Sequence, residues 1–130
     1  VPPFFSEHEK EVIGVPETKA NKKLDDDLGR YALPNSDLEV YRGMFKTPTV
    51  RNAALTAPYM HNGVYETLDQ VMDFYDKGGG AGLGFDLPHQ TLPFDQLNLT
   101  HEEQAALVAF IKTLNDTGKF YEKKETTLPH

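Results

Sequence analysis

The chain has 130 residues, 38% hydrophobic and 25% charged, which suits one globular domain with a modest core. A formal charge of −7 and a pI near 5.1 argue against a nucleic-acid partner or an anionic membrane surface, since both need clustered Lys and Arg. Zero cysteines excludes disulfides, thiolate metal centres and iron–sulfur clusters, and no apolar run approaches the ~20 residues that span a bilayer.

Residues 1–45 are poor in period and rich in breakers, with Pro2, Pro3, Pro16 and Pro34 spread along them. They predict extended loop, with one short helical turn over 6–12 where Ser6 caps and Glu9 follows three residues on. The opening Val1-Pro2-Pro3-Phe4-Phe5 carries no signal-peptide pattern and reads as mid-protein sequence. A loop this long in a compact domain wraps something or belongs to a site. The run Leu24-Asp25-Asp26-Asp27-Leu28-Gly29-Arg30 lacks the spaced donors and closing Glu of an EF-hand, so it reads as a solvated acidic turn.

Residues 46–66 are irregular too, with Pro48 and Pro58 bracketing space for one short helix. Asn62-Gly63 signals a turn, but no strand-like alternation flanks it to make a hairpin. The first clear helix is 67–77: Thr67 and Gln70 form a capping box, and Leu68, Val71, Met72 and Tyr75 make one apolar stripe. Gly78-Gly79-Gly80 stops it, and a Gly- and Pro-rich loop follows over 81–97. The second helix is 100–115, with Thr100 and Glu103 as a full capping box, Leu107, Phe110, Ile111 and Leu114 as its buried stripe, and Asp116-Thr117-Gly118 as its stop. The charged stretch 119–130 reads as a flexible tail, and His8, His89, His101 and His130 as surface residues. Two helices of this length cannot enclose a core alone. Either the loops form a third layer or a large apolar cofactor fills the centre.

The uninterrupted segment from Phe45-Lys46-Thr47-Pro48-Thr49-Val50-Arg51-Asn52-Ala53 through Ala54-Leu55-Thr56-Ala57-Pro58-Tyr59-Met60-His61-Asn62-Gly63 resembles the stretch after the second haem motif of bacterial dihaem cytochrome c peroxidases and MauG. The two helices sit where that family has them, and the resemblance covers roughly residues 24–117. It implies a mainly α, cytochrome-c-like helical domain with long irregular loops. The whole of 1–130 then reads as a single C-terminal domain, incomplete at its N-terminal end because the haem-bearing first helix is missing. The family attaches haem c through C-x-x-C-H, whose His binds the iron. This chain contains no such motif, so of the two haems in a full-length parent none is covalently attached here.

By alignment with the family, the opposite axial ligand of the haem iron falls on Tyr75, with Met72 as the rival if the register slips. A Met thioether is soft and favours ferrous iron, whereas a phenolate is hard and anionic and favours ferric and higher states. Tyr at this position marks the MauG-like members. The backbone carbonyls of Thr56 and Pro58 match the family's calcium positions, and Arg51 and His61 are candidate haem-propionate contacts. The resemblance also implies a peroxide-using oxidoreductase with haem-to-haem electron transfer, a periplasmic location, an N-terminal haem domain, and a small redox protein or protein substrate as partner. On this reading the fragment alone is inactive. The alternatives are an electron-transfer cytochrome domain without catalysis and a haemless binding module.

Overall fold

The local helix code is clearest at Thr67. Its hydroxyl accepts from the Gln70 amide at 3.2 Å and the Gln70 side chain accepts from the Thr67 amide at 3.1 Å, closing the expected capping box. Helix α1 runs Leu68–Asp76 in the computed structural model, which describes residues 9–116. Gly78, at φ 95°, ends it as expected, but a short helix α2, Gly79–Gly82, follows at once. Helix α3 runs His101–Thr113. There the Thr100 hydroxyl accepts from the Glu103 amide at 3.1 Å without the reciprocal bond, so only half of the expected box forms. Among the described residues, no helix is long and apolar enough to cross a membrane.

The first half of the chain is less featureless than its breakers suggest. Lys10–Val12 is a strand, β1, not a helical turn, and it pairs antiparallel with β2, Met44–Lys46. Val12 turns into the core at 1% exposure, and the backbone pairing with β2 sets the strand. Single 3-10 turns occupy Arg30–Ala32, Glu39–Tyr41 and Ala53–Leu55, the last being the short helix expected between Pro48 and Pro58. Around Asn62-Gly63 the Tyr59 amide donates to the Tyr65 carbonyl at 2.6 Å, so the turn closes a small antiparallel bridge that the flanking sequence did not announce. Ser6, His8, His130 and the tail expected over 119–130 lie outside the described residues. The mainly helical expectation therefore holds in part: the regular structure is three helices and one two-stranded sheet, joined by long irregular segments.

Phe74 anchors the core at 1% exposure, tilted against Tyr65 and edge-on to Tyr75, with Val15 and Val64 around it. The expected stripe on α3 is only partly correct. Val108 is buried and Ile111 half-buried, whereas Leu107 and Phe110 are 42% and 51% exposed. The helix carries apolar residues around more than one face, so period alone does not choose between them. Docking against α1 and the 53–55 turn chooses, and Asn52 fixes it: its amide donates to the Leu114 carbonyl at 3.1 Å and its side-chain oxygen accepts from the Asp116 amide. His89 is likewise half-buried rather than a surface residue, donating from Nε2 to the Arg42 carbonyl at 2.9 Å.

The 81–97 loop is tied down by one buried amide. Gln90 donates to the carbonyls of Gly78 and Leu92 and accepts from the Ala81 amide, all at 2.9 Å. Behind it, β1 leads into Gly14, which meets Gly80 backbone to backbone, and the Gly80 amide donates to Ile13 at 2.8 Å. A Cβ on Gly80 would stand 2.7 Å from the Gly14 Cα. Gly80→Ala should therefore destabilise the fold by about 1–3 kcal/mol, the usual range for overpacking, read as a lower urea midpoint with unchanged slope. An unchanged midpoint would show that this approach is slack.

Candidate functional site

The stripe Leu68, Val71, Met72 and Tyr75 is only partly covered by the core, with Leu68 buried and Val71 and Tyr75 packed against the Phe74 cluster. It lines one side of a cavity of about 770 Å³, inside the ~300–1,000 Å³ range of small-molecule and cofactor sites. Ile111 of α3, the 46–50 and 58–61 segments, Glu11 and the 91–93 stretch contribute much of the remaining wall. Ile13, Val15, Phe45 and His61 are shared with a second cavity of about 480 Å³ that the acidic turn closes.

Two tyrosines near Phe74 differ in a way that bears on chemistry. The Tyr65 hydroxyl donates to Asn21 at 3.0 Å, and burial, helped by Asp73, pushes its phenol up to about 12. Burial also pushes the Tyr75 phenol up, but no hydrogen bond of its hydroxyl is found among the described residues. The Tyr75 phenol is thus half-buried on the cavity wall, with no hydrogen-bond partner among the described residues. Met72 lines the same wall one turn away, so the rival thioether also reaches the cavity.

His61 is held by two contacts. Its ring stacks on Phe45 at 3.9 Å, and Nε2 lies 3.1 Å from Asp25 Oδ1. The neighbouring Asn62 amide donates to Asp25 Oδ2 at 3.0 Å and to the Pro16 carbonyl at 2.9 Å. Burial works against charge on Asp25, but the bonds from His61, Asn62 and the Asp27 amide outweigh it and hold the carboxyl below the ordinary range. An ionised carboxylate only accepts, so His61 carries its proton on Nε2. The acidic run is thus not a solvated turn throughout. Asp25 is 18% exposed and fastens residues 24–28 to the 59–63 loop. Asp25, Asp27 and His61 place ligand atoms within 4.8 Å of one another, and hydrogen bonds inside the group account for that closeness.

Of the remaining expected residues, Arg51 is exposed, with its amide bonded to the Thr49 hydroxyl, and it stands outside the cavity lining. Thr56 and Pro58 border the cavity and are exposed, and among the described residues no hydrogen bond ends on either carbonyl. Two residues went unread in the sequence, one on the wall of the larger cavity and one on that of the smaller. Lys46 brings a cation to the cavity, and Asp25 orients His61. Lys46 had a faint signal in its place beside Phe45. Asp25 had none, because its partner lies 36 residues away.

No protein-family model matches the chain. It is 38% identical over 109 residues to cytochrome-c peroxidase IdrP1 of Pseudomonas sp. strain SCT, covering 84% of this chain and 26% of that protein. It is 44% identical over 89 residues to cytochrome-c peroxidase IdrP2 of Denitromonas iodatirespirans, covering 68% and 21%. Against the methylamine utilization protein MauG of Methylorubrum extorquens it is 36% identical over 94 residues, covering 71% and 25%. The crystal structure of a MauG-like protein associated with microbial copper homeostasis aligns with a TM-score of 0.67 at 27% identity, over 91% of this chain and 37% of that one. The chain thus spans about a quarter of the length of the curated relatives it matches. On these likenesses the chain belongs to the family of cytochrome c peroxidases and MauG.

Proposed function

We propose that the larger cavity is the pocket of a c-type haem and that Tyr75 supplies an axial oxygen ligand to its iron. The observation that carries this reading is the Tyr75 hydroxyl, without a hydrogen-bond partner among the described residues, on a largely apolar wall of cofactor size. The residues fit such a group: the stripe of α1 and Ile111 suit a flat apolar ring, and Lys46 and His61 offer polar ends for its carboxylates. With no cysteine the chain cannot make thioether bonds, so the attachment motif and its His belong to residues outside these 130. Bound haem would supply iron that takes oxidising equivalents from peroxide.

The chain's own contribution is to exclude water and fix the ligand. Burial raises the phenol's pKa, so Tyr75 would hold its proton until a cation that favours the phenolate is bound beside it. A hard anionic ligand stabilises oxidised iron. That favours an oxidising enzyme of the MauG type over a plain electron carrier, and within such an enzyme this domain passes electrons between two haems. The free carbonyls of Thr56 and Pro58 support a calcium site completed by residues outside this chain. Arg51, just off the cavity wall, is the second propionate partner. A periplasmic setting follows from covalent haem.

A haem peptide carrying C-x-x-C-H and its iron-bound His tests the ligand assignment. Titrated into the full chain, it should give a phenolate-to-iron charge-transfer band. Tyr75→Phe should abolish the band and weaken binding roughly 10–100-fold, about 1.4–2.8 kcal/mol, while Met72→Leu leaves the spectrum unchanged. A spectrum altered by Met72→Leu and untouched by Tyr75→Phe would reassign the ligand.

A further inference from the structure

We propose that Asn62-Gly63 is a covalent modification site: Asn62 deamidates when the acidic turn lets go of it, and the product prevents the turn from closing again. The site is independent of what fills the larger cavity. Asparagine before glycine is the dipeptide most open to this reaction, because Gly63 has no Cβ to hinder attack by its own nitrogen. That nitrogen bonds to Asn62 Cγ and loses its proton, the side-chain nitrogen leaves as ammonia, and a five-membered succinimide forms. Water then opens the ring at either carbonyl, leaving a carboxylate at position 62 on a normal backbone or on one lengthened by a carbon. The step needs no oxidant, metal or second protein.

Hydrogen bonds hold every reacting group of the folded chain. Asn62 Nδ2, the leaving nitrogen, donates to the Pro16 carbonyl at 2.9 Å and to Asp25 Oδ2 at 3.0 Å. Asn62 Oδ1 accepts from the Val64 amide at 3.1 Å, so the side chain is fixed at both ends. The attacking Gly63 amide donates to the Met60 carbonyl at 3.2 Å. Closing the ring requires the side chain to leave Asp25 and Pro16, and those two acceptors move as one unit. Pro16 bridges to Leu24, and the Asp25 amide donates to the Val15 carbonyl at 3.0 Å. The rate therefore follows the population in which the turn has opened. Conversion makes the opening one-way. A carboxylate has no N–H, so at position 62 it would face two acceptors, one of them the Asp25 carboxylate, and two bonds become repulsions. Of the side-chain bonds from the 59–63 loop to Asp25, only that of His61 is then left among the described residues.

Peptide mapping by mass spectrometry, on the full chain held in mildly alkaline buffer, reads the conversion at Asn62. It should run at least roughly tenfold slower in native buffer than in concentrated urea, and Asp25→Ala should recover much of that difference. Equal rates in buffer and urea, or an Asp25→Ala rate no faster than that of the unaltered chain, would overturn the guard. Asn62→Asp sets the product in place from the start. Amide hydrogen exchange over residues 24–28 should then quicken roughly tenfold, with α1 unmoved. Adding Asp25→Asn returns an N–H to the contact, so the double variant should exchange more slowly than Asn62→Asp alone. If Asn62→Asp exchanges like the unaltered chain, or the double variant is no slower than the single one, the one-way consequence is wrong.

Discussion

Helix α1 turns its apolar stripe onto a cavity, and most of the chain is arranged around that fact. Leu68, Val71, Met72 and Tyr75 would ordinarily be covered by a neighbouring element, each buried side chain contributing about 1.5–3 kcal/mol. Here Phe74, on the adjacent face, fixes the helix, Val71 and Tyr75 pack partly against its cluster, and the stripe also borders the cavity. The long irregular segments then have a clear task. They form the walls of a site, which explains why Pro- and Gly-rich sequence is held by specific bonds such as those of Gln90 and Asn52.

The second organising contact is the Asp25–His61–Asn62 junction. It joins the acidic turn to the loop that borders α1, and it is a charged contact beside a largely apolar wall. Both partners are largely sequestered, at 18% and 17% side-chain exposure, so the pair is screened less than a surface ion pair. Fold and chemistry meet there, because the same bond closes the domain and sets which nitrogen of His61 carries the proton.

What was legible in the sequence follows from range. The α1 boundaries, its capping box and its stripe depend on residues three or four apart, and they appear where period and caps put them. The choice of face on α3 does not, since Leu107 and Val108 are equally apolar and only docking separates them. Strand β1 was hidden because three residues carry too little alternation to compete with the surrounding breakers; its partner lies more than thirty residues on. Tyr75 on the cavity wall was legible through its place on the stripe, while Asp25 was not, because nothing local distinguishes it from Asp26 and Asp27. The family resemblance located the segment and pointed to Tyr75, and the structure shows that residue on a cavity wall.

The account stands on the larger cavity being the seat of a flat aromatic macrocycle. The most direct measurement is methyl NMR of the full chain with gallium(III) protoporphyrin, whose ring current shifts signals within a few ångströms of its plane. Large shifts at Val71, Met72 and Ile111, with Leu24, Leu28 and Val108 unmoved, are the predicted result. Shifts confined to Leu24 and Leu28, or none at Val71 and Ile111 under saturating probe, would contradict it.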